Sequence, residues 1–249
     1  MLEHFKGDEE LVSKIQDYGL QAEKGQLVLT KFLNPHERKV VHDVLGGQLD
    51  IYEDGGFDGA ENKRVIICAN YYVISQEDFK IKVFELDYND HFGKLTHRDV
   101  LGALMHLGID RSVVGDICEN PLAISICEEN SAYIQMNLNK IKRSSVHLRE
   151  NKGRLSVQID YTTKRYYLSS LRLDKVVASF FKLSRSKAQE AIIHGDVKVN
   201  YKVNMDIAHL LDDGDMISLR HYGRVKLSDT NNLTRNENHI CILLCLINE

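Results

Sequence analysis

Between residues 8 and 19, Leu11, Val12, Ile15 and Tyr18 recur at the three- and four-residue spacing of one helix face, and Gly19 is expected to stop that helix. Residues 27–32 read as extended. Asn34-Pro35 then predicts a helix start, with Asn34 as N-cap and Pro35 in the first turn. Val40, Val41, Val44 and Leu45 form its apolar face and Gly46-Gly47 its end. Strands are expected at 49–53 and 64–69, separated by the turn-rich stretch 54–62. Residues 80–86 alternate polar and apolar, the strand period. Thr96 is placed to cap a helix over 97–107, with Gly108 as its stop. A strand near 122–127, a helix near 131–142 and a strand near 145–148 follow, with 157–161 as a further candidate.

The β-α-β-α-β order after residue 79 predicts a small helix-backed sheet of the ferredoxin-like (RRM-like) type, and the chain as a whole reads as a multi-domain α+β protein. The last module is the most legible. Leu173, Val176, Val177 and Phe180 mark the inner face of a short helix over 173–181. Ser184 is a natural N-cap for a second helix, with Ala188, Ala191 and Ile192 inward and Gly195 as the stop. Val197 and Val199 alternate with Lys198 and Asn200, Asn200-Tyr201 and Asp212-Asp213-Gly214-Asp215 are turns, and 216–220 is a strand. The expected division is an N-terminal α/β region (1–78), a ferredoxin-like domain (79–168), a basic module (169–227) and an atypical tail (228–249). In that tail a polar, turn-like stretch leads into eight apolar residues, 240–247, which suit a strand that docks on the body or pairs with another copy.

Charge changes the picture. The 249 residues carry a net −4, which argues against nucleic-acid binding by the surface as a whole. The distribution is uneven: residues 1–99 hold 12 Lys+Arg against 19 Asp+Glu, whereas 172–227 hold 10 against 7, a local +3. Five cysteines at unrelated spacings point to a reducing cytoplasm rather than a disulfide scaffold. The N-terminal residues lack the apolar core of a secretion signal, and no apolar run approaches the roughly 20 residues of a membrane span.

The basic module carries the candidate chemistry. A helix N-terminus offers free N–H groups and a partial positive charge, a ready anion site. Here Ser184, Arg185, Ser186 and Lys187 add two hydroxyls and two cations to it. Arg172 starts the preceding helix, Lys198 and Lys202 lie on the following hairpin, and Arg224 and Lys226 follow the last predicted strand. Folded RNA is recognised largely by backbone and shape, so such a set suits phosphate and ribose contacts.

Arg172-Leu173-Asp174, Ser184-Arg185-Ser186-Lys187-Ala188, Gly195-Asp196-Val197-Lys198-Val199-Asn200, Gly214-Asp215-Met216-Ile217 and Gly223-Arg224 resemble, in order and spacing, the S4 RNA-binding domain with its αL-type grip. Two places depart from its pattern: Asn200-Tyr201 stands where Asn-Gly is usual, and Ile207-Ala208 where Pro or Ser often precedes the last turn. Tyr201 is read either as strain in the hairpin or as a stacking ring beside RNA. Further upstream, Gly55-Gly56-Phe57-Asp58-Gly59-Ala60-Glu61-Asn62-Lys63-Arg64, Leu95-Thr96-His97-Arg98-Asp99-Val100-Leu101-Gly102-Ala103-Leu104, Leu107-Gly108-Ile109 and Gly115-Asp116-Ile117 resemble the YlmH proteins of Gram-positive bacteria. That resemblance implies a non-catalytic protein whose partners are rRNA and tRNA. It implies binding to the large ribosomal subunit carrying a stalled peptidyl-tRNA, support of quality-control tailing, and a link to cell division.

Other features carry less. The Gly55-Gly56-x-x-Gly59 stretch is flanked by Asp54, Asp58 and Glu61, which repel phosphate, so a plain turn is expected. His97 and His106 lie nine apart on opposite helix faces and form no common site. Capping and packing is the ordinary reading of His97 and Asp99, while His97 and Arg98 are carried as candidate RNA contacts. No zinc spacing, P-loop, nucleophile elbow or dinucleotide fingerprint appears, so no metal, cofactor or small-molecule substrate is expected. Two competing readings are an RNA-modifying enzyme, which needs a catalytic domain, and a division-site adaptor, whose acidic N-terminal region binds a basic partner.

Overall fold

Gly19 does not end the first helix. α1 spans Glu9–Glu23, and Gly19 is buried within it. A Cβ there would lie 2.7 Å from Leu45 Cδ2 of α2 (Pro35–Leu45), so the glycine marks a close helix crossing and not a stop. α2 begins as expected. Asn34 accepts from Glu37 N–H and Glu37 caps Asn34 N–H in return, a capping box, and Gly46 closes the other end. Both helices pack on β4 (Arg64–Cys68), the buried centre of an antiparallel sheet ordered β1-β4-β2, with β1 at Val28–Leu29 and β2 at Asp50–Asp54. Val12, Ile15 and Ala22 of α1 and Val40 and Val41 of α2 meet Val65 and Ile67 there.

The computed structural model describes residues 7–156, 161–233 and 239–246, and the chain divides into two compact units, Met1–Gln158 and Ile159–Glu249. In the first unit the strand β5 (Ile81–Tyr88) leads into α3 (His97–His106), β6 (Val114–Glu119), β7 (Leu122–Cys127), α4 (Glu128–Asn137), the short β8 (Lys140–Ile141) and β9 (Ser144–Glu150). The order is therefore β-α-β-β-α-β; periodicity missed β6, whose Gly115-Asp116 interrupts the apolar run. The sheet runs β6-β7-β5-β9-β8 with antiparallel neighbours, the ferredoxin-like arrangement. The helix expected at 131–142 is shifted: α4 begins at Glu128 and ends at Asn137, because 140–146 turn into the β8–β9 hairpin. α3 and α4 cover one face, placing Val100, Leu104 and Ile134 against Phe84, Leu86, Ile124, Ile126 and Val146.

The other face of that sheet is also covered. β3 (Phe57–Asp58) pairs in parallel with β10 (Leu155–Ser156), and Phe57 and Ala60 are buried against Val83, Cys118 and Ala123. The Asp116 carboxylate accepts the N–H groups of Glu61 and Asn62. Gly56 has φ +81°, and a Cβ there would lie 2.9 Å from Ile81 Cγ2. The glycine-rich turn is thus a loop docked on the sheet. Arg64 fastens the same unit from within: Nε donates to Thr30 O at 2.7 Å, Nη1 to Lys80 O at 2.9 Å, and Nη2 pairs with Glu129 at 3.0 Å. The Val157–Tyr161 strand candidate falls mostly on residues 157–160, which lie outside the described residues.

The second unit is one antiparallel sheet backed by two helices. β11 (Tyr161–Leu168) precedes α5 (Leu173–Phe180) and α6 (Arg185–Ile193), followed by β12 (Val197–Val199), β13 (Lys202–Val203), β14 (Met216–Leu219), β15 (Gly223–Leu233) and β16 (His239–Leu246). The sheet order is β11-β16-β15-β14-β12-β13. Leu173, Val176, Val177, Phe180, Ala188 and Ile192 of the helices close over Val197, Val199, Ile217, Leu219, Val225 and Leu227. The supposed tail belongs to this sheet. β15 continues to Leu233 where a turn was expected, and β16 lies between β15 and β11; of the predicted apolar strand, residue 247 lies outside the described residues.

Gly195 has φ +77° after the α6 cap, a conformation a β-branched residue resists. Gly195→Val is expected to destabilise this unit by at least about 1 kcal/mol. A thermal melt matching wild type would show that the left-handed conformation is not required there.

Candidate nucleic-acid interface

The register of the second unit sorts the predicted contacts. Lys198 pairs with Ser218 and Ser218 with Arg224, while Met216 pairs with Lys226. Side chains alternate across a strand, and Val197, Val199, Ile217, Leu219, Val225 and Leu227 face the helices. Lys198, Arg224 and Lys226 therefore share the outer face of the sheet. Lys202 does not join them: it pairs with the buried Val199, and Val203 is the residue opposite Lys198. The hairpin that linked Lys198 and Lys202 in the sequence separates them in space. Its turn places both Asn200 (φ 49°) and Tyr201 (φ 72°) in the left-handed region, so Tyr201 adopts what the more usual glycine adopts easily. Asn200 anchors the turn, donating to Asp215 Oδ1 at 2.7 Å and accepting from Met216 N–H at 3.0 Å.

The other predicted contacts cluster around the start of α6. Ser184 caps it, accepting from Lys187 N–H at 3.3 Å, and Ser184, Arg185, Ser186 and Lys187 are all exposed. Arg185 is not simply a solvated cation. Its Nε and Nη2 bind Asp174 Oδ2 at 3.0 and 2.9 Å. Arg172 Nε binds Asp174 Oδ1 at 3.2 Å, and Gln189 Nε2 binds Oδ2 at 3.0 Å. Asp174 is fully buried, whereas the Arg185 side chain keeps 57 % of its exposure. Burial pushes the Asp174 carboxyl up, but the hydrogen bonds from Gln189, Arg185 and Arg172 outweigh it and hold the group at about 2. Asp174 thus orients two arginines, one at the start of each helix. Sequence reasoning missed this because a carboxylate in the first turn of a helix reads as a dipole partner. The usable signal was a single acid on an apolar helix face, next to one arginine and eleven residues before another.

In the first unit, His97 is half-buried and its N–H donates to Glu119 Oε1 at 2.6 Å, while Arg98 is exposed. Thr96 and Asp99 form the capping box of α3, and Asp99 also pairs with Lys142 at 2.7 Å. His97 and Asp99 are accordingly engaged in the helix start. Among the described residues no three His, Cys, Asp or Glu side chains converge to hold a metal ion, and no helix is long and apolar enough to cross a membrane.

One sheet is ferredoxin-like, and the other is backed by the α5–α6 pair. Comparison with known families places the chain in the class that carries RNA-binding domains. Residues 75–154 match the family described as "Putative RNA-binding domain in YlmH", and residues 171–217 match the S4 domain. Over 242 residues the chain is 31% identical to the ribosome-associated protein quality control protein P2 of Bacillus subtilis (strain 168), covering 94% of each. It is also similar to a solved structure described as cell division protein ylmH from Streptococcus pneumoniae, with 30% identity and a TM-score of 0.51 over 58% of this chain and 90% of that one. The chain belongs to the YlmH family.

Proposed function

We propose that this protein is a non-catalytic factor that grips structured RNA, ribosomal and transfer RNA, on the large ribosomal subunit, and acts in ribosome-associated quality control in the cytoplasm. It would need no cofactor and take no small-molecule substrate. The observation that carries this reading is the pairing of two cationic surfaces in one small unit. Arg185 and Lys187 stand at an exposed helix start, and Lys198, Arg224 and Lys226 on the outer face of the sheet. Such a unit contacts phosphates from two sides without a base-reading fork. The relative named for ribosome-associated quality control supports the setting, because the likeness spans nearly the whole of both chains. We take the ferredoxin-like part of the first unit, from β5 to β9, and the second unit, which takes in β11 and β16 beyond the 169–227 bounds expected from sequence, as the two RNA-binding domains, and His97 and Arg98 as candidate contacts of the first.

Because Arg185 braces a buried carboxylate, the informative variants avoid it. Lys187, Lys198 and Lys226 are exposed, so replacing all three by Ala is expected to leave the melting curve close to wild type. The slope of log affinity against log salt should flatten by about 2, at roughly 0.7 per phosphate contact. Sedimentation of the tagged protein through a sucrose gradient, with sequencing of crosslinked RNA, identifies the partner. Migration with the large subunit supports the reading. An unchanged salt slope, or no crosslinked RNA, removes it.

A second reading, an adaptor at the division site, draws on the name of the Streptococcus pneumoniae relative and on the excess of 19 Asp+Glu over 12 Lys+Arg in residues 1–99. Partners captured equally before and after nuclease treatment would favour it.

A further inference from the structure

The RNA-facing side of the ferredoxin-like domain is narrowed by what already covers it. The sheet face opposite the helices is occupied by Phe57 and Ala60 and by the β3–β10 pair, locked by Asp116. At the exposed start of α4, Glu128 and Glu129 already engage Lys82 and Arg64. One exposed surface has the opposite character. Lys142 Nζ lies 2.7 Å from Asp99 Oδ1, which sets the tip of the β8–β9 hairpin against the first turn of α3. Arg143 follows Lys142 in the hairpin and Arg98 precedes Asp99 in α3, so each arginine lies one residue from this ion pair. Both arginines are exposed, and among the described residues neither has a hydrogen-bond or ion-pair partner. Two acids, Asp99 and Glu119, bind groups at the start of this helix. Lys142 balances the first, and the second is spent on His97 N–H.

Gly102 is the second observation. It lies one turn beyond Arg98 and Asp99 on the exposed side of α3, and a Cβ there would meet nothing within 4 Å. A glycine inside a helix costs about 0.5–1 kcal/mol relative to Ala, and here neither packing nor a turn requires it. Absence of a side chain on an exposed helix, beside unpaired cations, suits close approach of another backbone. We propose that a strand of RNA backbone crosses α3 at Gly102, with its phosphates held by Arg98 and Arg143. This rests on the RNA-binding reading above and names where the first domain touches that RNA.

The test uses the full-length protein with fluorescein-labelled bulk tRNA and extracted large-subunit rRNA as probes. Gly102→Ala should melt at or above the wild-type temperature. Gly102→Leu should also stay folded, yet lose at least about fivefold in affinity. Arg98→Ala with Arg143→Ala should flatten the log–log salt slope by about 1.4. Wild-type affinity in Gly102→Leu together with a wild-type slope in the double variant overturns the proposal. So does a lowered melting point in Gly102→Ala, which would give the glycine a structural reason. If those variants bind normally while the Lys187, Lys198, Lys226 variant does not, only this surface is wrong and the RNA-binding reading stands. If the wild-type protein binds neither probe, both fall.

Discussion

Ending the chain at residue 233 is expected to unfold the C-terminal unit, not to trim it. β16 pairs with β11 from Leu246 to His239 and with β15 at Cys245–Cys241 and again at His239. Among the described residues it is the only strand joining β11 to the rest of the sheet. Removing it strips β11 of its hydrogen-bonded neighbour and turns β15 into a long open edge, which invites aggregation. At about 1 kcal/mol net for each backbone hydrogen bond, the loss is comparable with the whole stability of a small domain, roughly 5–15 kcal/mol. Circular dichroism and urea denaturation of the 1–233 chain should show lost strand signal and no cooperative transition for this unit. A truncated protein melting within about 3 °C of the intact chain would show that the sheet closes without β16. Read as sequence, the stretch 228–249 is a tail whose deletion leaves RNA affinity within about twofold. Its place in the sheet makes any affinity measured on that deletion a measure of folding first.

Asp174→Ala is expected to destabilise the same unit by about 2–4 kcal/mol at neutral pH, with Asp174→Asn retaining part of the loss. The carboxylate is fully buried and takes hydrogen bonds from Arg172, Arg185, Gln189 and the Lys175 N–H, so its removal leaves several donors without a shared acceptor. The two arginines are partly exposed and water recovers some of that cost, which keeps the figure below the upper range for buried pairs. The pH dependence has a definite sign. The folded carboxyl sits at about 2, below its ordinary 3.8, so its contribution is complete above pH 4 and is lost as the pH falls toward 2. By linkage that displacement is worth about 2 kcal/mol. The stability gap between wild type and Asp174→Asn, measured by urea denaturation, should be widest near pH 6 and close as the pH falls toward 2. A gap that stays constant through that range would show that Asp174 contributes by packing, not by charge. The same geometry bears on RNA. Losing Asp174 should also weaken binding, because Arg172 and Arg185 lose the anchor that aims them.

The local elements were largely legible. Asn34, Thr96 and Ser184 mark helix starts because each side chain satisfies an N–H that the helix leaves open, a requirement settled within four residues of sequence. Gly108 and Gly195 mark helix ends because each takes a positive φ there. Gly19 looks the same in sequence, yet it lies inside a helix because Leu45, 26 residues away, occupies the space of its missing side chain. β6 was missed because Gly115 and Asp116 break its apolar period, and both are set by distant partners. A Cβ on Gly115 would lie 2.6 Å from Phe32 Cε1, and Asp116 binds the loop at Glu61 and Asn62.

Sequence alone therefore determined the kinds of element, the order of the modules and the identity of the cationic side chains, since these follow from period, capping chemistry and charge along the chain. Tertiary structure decided which of those cations lie together. Cross-strand register put Lys198 with Arg224 and Lys226 and turned Lys202 away. The closure of α5 on α6 gave Arg172 and Arg185 a common buried acid. Pairing with β11 and β15 drew an apolar C-terminal run into the middle of a sheet. Each of these depends on contacts between residues far apart in the chain, and no local rule of spacing contains them.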